Sequence, residues 1–491
     1  MIKNVKQKFA LSLFFLILGA CSPSENNEKD KTLEEYFEEA TTLDKSSKYE
    51  EAIKFYNLAI AKDPNTIIAY NNKGIALSKL GRYEESLEIF DIVIRNDKNF
   101  ADGYYNKGIS YNVLGLYDKA IEVLDIAIKL QPNDGDIYME KGFALNKLAK
   151  YDDAINAYKK TIELQPNSID TYFSLANNLS ILEKYDEAIK VYKKIIELQP
   201  DSFDAHFKIG EALMRSFKSQ DAIKAFDLAI KYKADDAKTY YYRGYLLLNS
   251  GKDEEAIKDF DLVIKYQPDN SEAYFLKAYC LYELKNYKDA IQNLEQVIKL
   301  DPNHIDAHYK LANSFAELND VENAVKQYDI VVKLNPKYSY YAYVTKGLFL
   351  ARLNKTQDAI KAFDDAINYD PKNADAYYNK ALVLLSLKQY QEALELFNLA
   401  ITYKPKDVDA YFNKGAALMH LKRFQEAIDA YKAVVVITPN AYDAYYNIGD
   451  LLASQGKYLD AVKAFDSAIK CKPLFKDAIN ARNNALRKLK K

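Results

Sequence analysis

Residues 101–134 read ADGYYNKGISYNVLGLYDKAIEVLDIAIKLQPND, and the same design returns along the chain about every 34 residues. The small residues Ala40, Gly74, Gly108, Gly142, Ala176, Gly210, Gly244, Ala278 and Ala312 stand 34 apart. Gly347 follows after 35, and Ala381, Gly415 and Gly449 restore the spacing. Twelve residues beyond each of these anchors is an Ala, or Ser86 in one case. Four residues further stands an aromatic ring in eleven of thirteen cases, Leu124 and Leu294 being the exceptions. Every Pro except Pro23 falls at one repeat position, from Pro64 to Pro473. A fixed period must be read before domains are counted, because 491 residues would otherwise suggest about three ordinary domains.

The chemistry of one unit follows from helix geometry. Tyr70, Gly74 and Leu77 share one face of a first helix at i, i+4 and i+7. A Gly or Ala anchor lets a second helix approach closely, and Ala120 with Leu124 supplies the matching face. Pro closes the second helix and fixes the turn into the next unit. One helix pair cannot bury its apolar stripe alone, so stacking must supply the core. The recurring aromatic, Gly, Tyr, Ala, Phe and Pro positions resemble the tetratricopeptide repeat. The resemblance covers thirteen units, residues 33–475, and implies an all-α solenoid, a right-handed superhelix of helix-turn-helix repeats. Residues 476–491, with Ala478, Ile479, Ala485, Leu486 and Leu489, are expected to form a C-terminal solvating helix. Thr32 and Glu35 read as a capping box that opens the first helix.

The departures from the family pattern are informative. Tyr replaces the usual Trp at the fourth position (Tyr70, Tyr104, Tyr138, Tyr377), and His206 and His308 fill two such slots. Lys often stands before the anchor, as Lys107 does before Gly108, where its stem is expected to cover the core edge and its charge to reach water. The unit 203–236 has Ser219 for the second-helix Tyr and Ala234 for the Pro, so the array is expected to give way most readily near 215–260.

The N-terminus carries a different signal. Lys3, Lys6 and Lys8 precede an almost wholly apolar run from Phe9 to Leu18, too short for the ~20 residues that span a bilayer. This pattern reads as a signal peptide over residues 1–20. Leu18-Gly19-Ala20-Cys21 resembles the lipobox of bacterial lipoproteins, which implies cleavage before Cys21 and its acylation. Two or three acyl chains would anchor a protein stably where one binds only marginally. Ser22, in place of the Asp that retains many lipoproteins at the inner membrane, implies the outer membrane facing the periplasm. Residues 21–32 then form the lipidated Cys and a flexible linker.

Composition narrows the partners. Lys+Arg 68 against Asp+Glu 70 excludes a broad nucleic-acid-binding surface. Three Cys exclude a disulfide framework, and four His leave little for a metal site. His304 and His308 lie four apart without further ligands, and Cys280 and Cys471 stand too many units apart to bridge. No phosphate loop, HExxH or nucleophile turn is present, so neither an enzyme, a cofactor nor a small-molecule substrate is expected.

Family resemblance places binding on the first helices, at the second, fifth, sixth, ninth, twelfth and thirteenth positions of each unit. At the sixth stand Asn72, Asn106, Asn379, Asn413 and Asn447, resembling the asparagine ladder of the O-linked N-acetylglucosamine transferases, and suited to gripping peptide amides. Units 237–270 and 271–304 instead place Tyr241, Tyr242, Tyr245 and Leu248, then Phe275, Leu276, Tyr279 and Tyr282, at these positions. Such an aromatic patch marks an interaction site if exposed, or packs on itself if the array closes over it. An Asp row at the second position (Asp102, Asp136, Asp170) complements the helix dipole and could select basic peptide side chains. The function expected is a lipid-anchored scaffold for protein or peptide clients. The alternatives are a self-associating solenoid, including a homodimer through the Tyr patch, and the binding half of an enzyme complex.

Overall fold

The computed structural model describes residues 31–335 and 339–490. The signal peptide, the cleavage site and Cys21 lie outside the described residues. Among the described residues there are 27 helices and no strand. They form two compact units, the first ending at Tyr232 and the second beginning at Lys233, inside the repeat that lacks both consensus residues.

The first unit runs from α1 (Leu33–Lys45) and α2 (Tyr49–Lys62) to α11 (Phe203–Arg215) and α12 (Ser219–Tyr232). The second runs from α13 (Ala237–Asn249) and α14 (Asp253–Tyr266) to α26 (Tyr458–Cys471) and a final α27 (Lys476–Leu489). Within each unit a helix packs on its successor, and neighbouring first helices also touch, such as α5 (Ala101–Val113) on α7 (Gly135–Lys147). The first helices therefore share one face and the second helices the other. Thr32 opens α1 with both halves of a capping box: Glu35 N donates to its Oγ1 at 3.2 Å, and Thr32 N donates to Glu35 Oε2 at 2.7 Å. At the other end α27 lies on α26 with Ala478 and Ala485 buried.

The core is built from one contact repeated. The residue sixteen beyond each anchor is buried in every repeat, from Tyr56 and Phe90 to Tyr431 and Phe465. It lies against the anchor of the same unit. A Cβ added at Gly210 would come 2.5 Å from the Phe226 ring, too close for any carbon pair. The anchor is small because the ring sits where a side chain would be.

Each first helix ends with a residue in the left-handed conformation. Gly fills this place at Gly81, Gly115, Gly251 and Gly456, and nine non-Gly residues fill it elsewhere, including Phe217 at φ 59°. The cap is closed by the following N–H, as from Arg82 N to Leu77 O at 2.9 Å. Second helices end in a turn through the Pro position, with Thr66 N donating to Asp63 O at 3.1 Å.

The fourth-position rings keep their polar tips bonded across this turn. Tyr138, Tyr240 and Tyr377 donate their hydroxyls to the carbonyls of Pro132, Ala234 and Pro371 at 3.1–3.2 Å. His206 and His308 place Nε2 3.2 and 3.1 Å from the Pro200 and Pro302 carbonyls. Imidazole thus replaces phenol at one structural bond.

The Lys residues before the anchors correct the sequence expectation. Lys107, Lys141, Lys277 and Lys380 send their ammonium groups not to water but to Asp91, Asp125, Asp261 and Asp364, at 2.5–2.6 Å. Each partner lies sixteen residues earlier on the preceding second helix, so the pair ties two repeats together.

A left-handed residue without Gly costs roughly 1–2 kcal/mol. Phe217 is 93% exposed, so removing its ring loses little packing. Phe217→Gly should therefore raise the stability read from a urea titration, and Gly81→Val should lower it, each by about 1–2 kcal/mol. Equal shifts of the same sign would mean that this backbone position is not what the chain feels.

Candidate functional site

In the second unit α13 and α15 (Ser271–Glu283) carry the aromatic run. The structure leaves it partly open: Tyr245 is 42% and Tyr279 36% exposed, while Tyr241, Tyr242, Phe275 and Tyr282 are half-buried. Leu276 is buried and belongs to the core. Tyr241 and Tyr242 meet edge to face at 5.9 Å, and Phe275 leans on His304 at 4.9 Å. Burial, with Glu272 nearby, raises the Tyr241 hydroxyl above its ordinary pKa. Burial, with Glu317 nearby, pushes Tyr282 up to about 12. Both phenols are neutral donors at physiological pH.

A residue that the sequence reading passed over completes this surface. Lys310, on α17 (Ile305–Glu317), sets its ammonium 4.3 Å from the centroids of both Tyr279 and Tyr282. Burial lowers its pKa, and Glu283, 3.8 Å away, opposes that shift. Beyond it Tyr282, Asn313, Glu317, Leu348 and Arg352 line a cleft of about 300 Å³. There Arg352, on α19 (Ser339–Arg352), donates to Ala316 O at 2.9 Å and lies 3.7 Å from Glu317.

The sixth-position Asn residues are all half-buried and all have internal partners, Asn72 at the Tyr56 hydroxyl and Asn447 at the Tyr431 hydroxyl among them. Asn106 donates to Asn71 Oδ1 at 3.0 Å, and Asn379 to Asp375 O at 2.8 Å. Asn413 donates to the Tyr378 hydroxyl at 3.2 Å and to Asp409 O at 2.9 Å. A rule emerges: the sixth side chain of one first helix reaches the fifth of the helix before it. Thr345 and Tyr309 meet in the same way at 3.1 Å. Asn106 and Asn413 thus brace neighbouring helices, whereas Asn379 bonds within its own. Asn72 lies in the first unit with Asn106, whereas Asn379, Asn413 and Asn447 lie in the second with the Tyr run.

The repeat identity rests on these anchors, rings and turns, and comparison with known families agrees. Tetratricopeptide-repeat models match residues 55–88, 101–134, 135–168, 344–405 and 442–473, and a TPR-repeat model matches 181–216 and 415–456. A model of subunit 3 of the anaphase-promoting complex, cyclosome, matches 215–295 and 251–331. The chain is a tetratricopeptide-repeat protein. No curated protein matches it significantly. Among solved structures, YrrB, described as a TPR protein with an unusual peptide-binding site, is 22% identical over 38% of this chain and 96% of its own, with a TM-score of 0.34. The C-terminal part of a TPR-repeat protein from Cytophaga hutchinsonii is 18% identical over 48% of this chain and 97% of its own, at 0.45. Yeast Tom70 is 17% identical over 94% and 96%, at 0.36.

The other tetratricopeptide positions weighed in the sequence have ordinary structural places. His304 caps α17, its Nδ1 accepting from Ala307 N at 3.1 Å, and His308 has a partner at each ring nitrogen. Among the described residues no group of three or more His, Cys, Asp or Glu could hold a metal ion. Cys280 is buried, whereas Cys471 is half exposed. Lys310 was legible only by reading the sixth position across all units whatever the residue type.

The face is held from behind by a buried ion pair. Arg243 on α13 grips Asp259 on α14 with two bonds, at 2.8 and 2.5 Å, and the Asp259 side chain is only 2% exposed. Asp259→Asn should lower stability by about 2–3 kcal/mol, because it leaves a guanidinium without its buried counter-charge. Asp261→Asn, at a pair whose carboxylate is half in water, should cost far less in the same urea titration.

Proposed function

We propose that the chain is a non-catalytic scaffold, held at the bacterial envelope by a lipid on Cys21, that grips protein or peptide clients along its first-helix face. The observation that carries the client reading is the aromatic run on α13 and α15, with Tyr245 and Tyr279 over a third exposed. Tyr presents a large, rigid surface and a hydroxyl donor at small entropic cost, which suits a protein partner. Repeats occupy residues 33–475, which supports a role in holding rather than in chemistry. The family's habit of binding proteins or peptides supports the same reading.

The face is tested by cross-linked affinity capture from native envelopes with the intact protein and a Tyr241/Tyr245/Tyr279/Tyr282→Ala variant. A client held by the intact protein should be reduced at least tenfold with the variant. Equal recovery would move the site off these rings, and two copies of this chain as the sole cross-linked product would favour self-association.

The anchor rests on Leu18-Gly19-Ala20-Cys21 and the charged, apolar stretch before it. Cys21→Ser should shift the protein from the membrane to the soluble fraction and abolish labelling by a radioactive fatty acid. Unchanged partition with unchanged labelling would remove the lipid anchor from this reading.

A further inference from the structure

In the first unit, Glu140 stands at the sixth position of α7, where many other repeats have Asn. Tyr105, the fifth residue of α5, holds the place that the rule above pairs with this position, and Glu140 is the foremost charge acting on its hydroxyl. Asn112, also on α5, donates through Nδ2 to Glu140 Oε2 at 2.8 Å and to the Glu140 carbonyl at 3.1 Å. Among the described residues no Lys, Arg or His lies within ion-pair distance of this carboxylate. Glu211, Glu283 and Glu317 on the same kind of face have Lys208, Lys310 and Arg352 at 2.7, 3.8 and 3.7 Å.

Two further observations give the site a sign and a vacancy of bonding. Asp136, Asp134 and Asp102 add to the field around Tyr105, and burial with Asp136 nearby raises the pKa of Glu140. Asn112 is 4% exposed, and its Oδ1 is buried without a hydrogen-bond donor. A half-buried carboxylate, an unpaired amide oxygen and an aromatic ring, set among acids, want one kind of ligand. It must be cationic, rich in N–H donors and flat enough to lie on a ring. A guanidinium meets all three demands.

We propose that Glu140, Asn112 and Tyr105 hold a basic side chain, an arginine above all, of a protein segment bound along the first helices of unit one. This rests on the reading of the first-helix face as a binding face and names its partner chemistry there. Glu140 fixes the guanidinium by charge, the Tyr105 ring stacks on it, and Asn112 orients the carboxylate through its Nδ2.

The test uses the full-length chain and a fluorescein-labelled peptide, Ala-Arg-Ala-Ser repeated three times, read by anisotropy at physiological salt. A matched peptide with citrulline for arginine keeps the shape and removes the charge. The arginine peptide should bind saturably, and the citrulline peptide at least tenfold more weakly. Glu140→Gln and Tyr105→Ala should each weaken arginine binding at least tenfold. Glu392→Gln, an exposed acid on a second helix of the second unit, should leave it unchanged. Glu140→Gln removes an uncompensated half-buried charge, so its melting temperature should hold or rise, which separates lost binding from lost folding. No saturable arginine binding, equal affinity for citrulline, or full affinity in Glu140→Gln would each overturn the assignment. None of these outcomes involves the tyrosines of the second unit, so a failure here leaves the capture result on those rings to stand or fall by itself.

Discussion

Everything in this protein depends on a ring lying on a small residue. The side chain sixteen positions after each anchor fills the space where a larger anchor would project. At Gly74, Gly210 and Gly347 an added Cβ would fall 2.5–2.6 Å from the Phe90, Phe226 and Phe363 rings. Packing this tight fixes how closely two helices approach, since overfilling such a site strains backbone and rotamers alike. It also decides which side of each helix is spent on the core. The first helices keep the opposite side free, and that leftover surface is where a partner can be met.

Polar groups do the joining that the rings cannot. The left-handed residue turns the chain between paired helices, and the Pro turn passes it to the next pair. Across that turn a Tyr hydroxyl or His nitrogen bonds the Pro-position carbonyl, so the fold needs a ring with a polar tip rather than Trp in particular. Lys before the anchor reaches the Asp of the preceding second helix, and its half-buried stem seals the core edge between repeats. Such pairs at the rim contribute modestly to stability, yet they fix the register of one repeat on the next.

The free face differs between the units because a few positions change while the frame does not. In the first unit the fifth and sixth positions include Asn71, Asn106, Tyr105 and Glu140, mixed with Phe173, Phe207 and Lys208. In the second they give Tyr241, Tyr242 and Phe275 with Lys310, an aromatic surface crossed by one desolvated cation. The same contact rule, sixth residue to the fifth before it, operates in both. Chemistry is thus written by substitution at a few sites on a constant scaffold.

The sequence by itself determined the repeat, the helix pairing, the buried rings and the positions of the turns, because each depends on residues within one 34-residue period. It also marked the aromatic run and the Asn positions, since these break or keep a pattern that can be counted. What it could not decide was which polar side chains were already engaged. Asn106, Asn413 and Lys107 have partners 16 to 35 residues away, on neighbouring helices. Lys310 and Glu140 looked like routine variation until packing set one between two tyrosines and left the other without a cation. Pairing across repeats depends on helix approach and burial, which are properties of stacked units rather than of any one of them, and so only the tertiary structure could settle it.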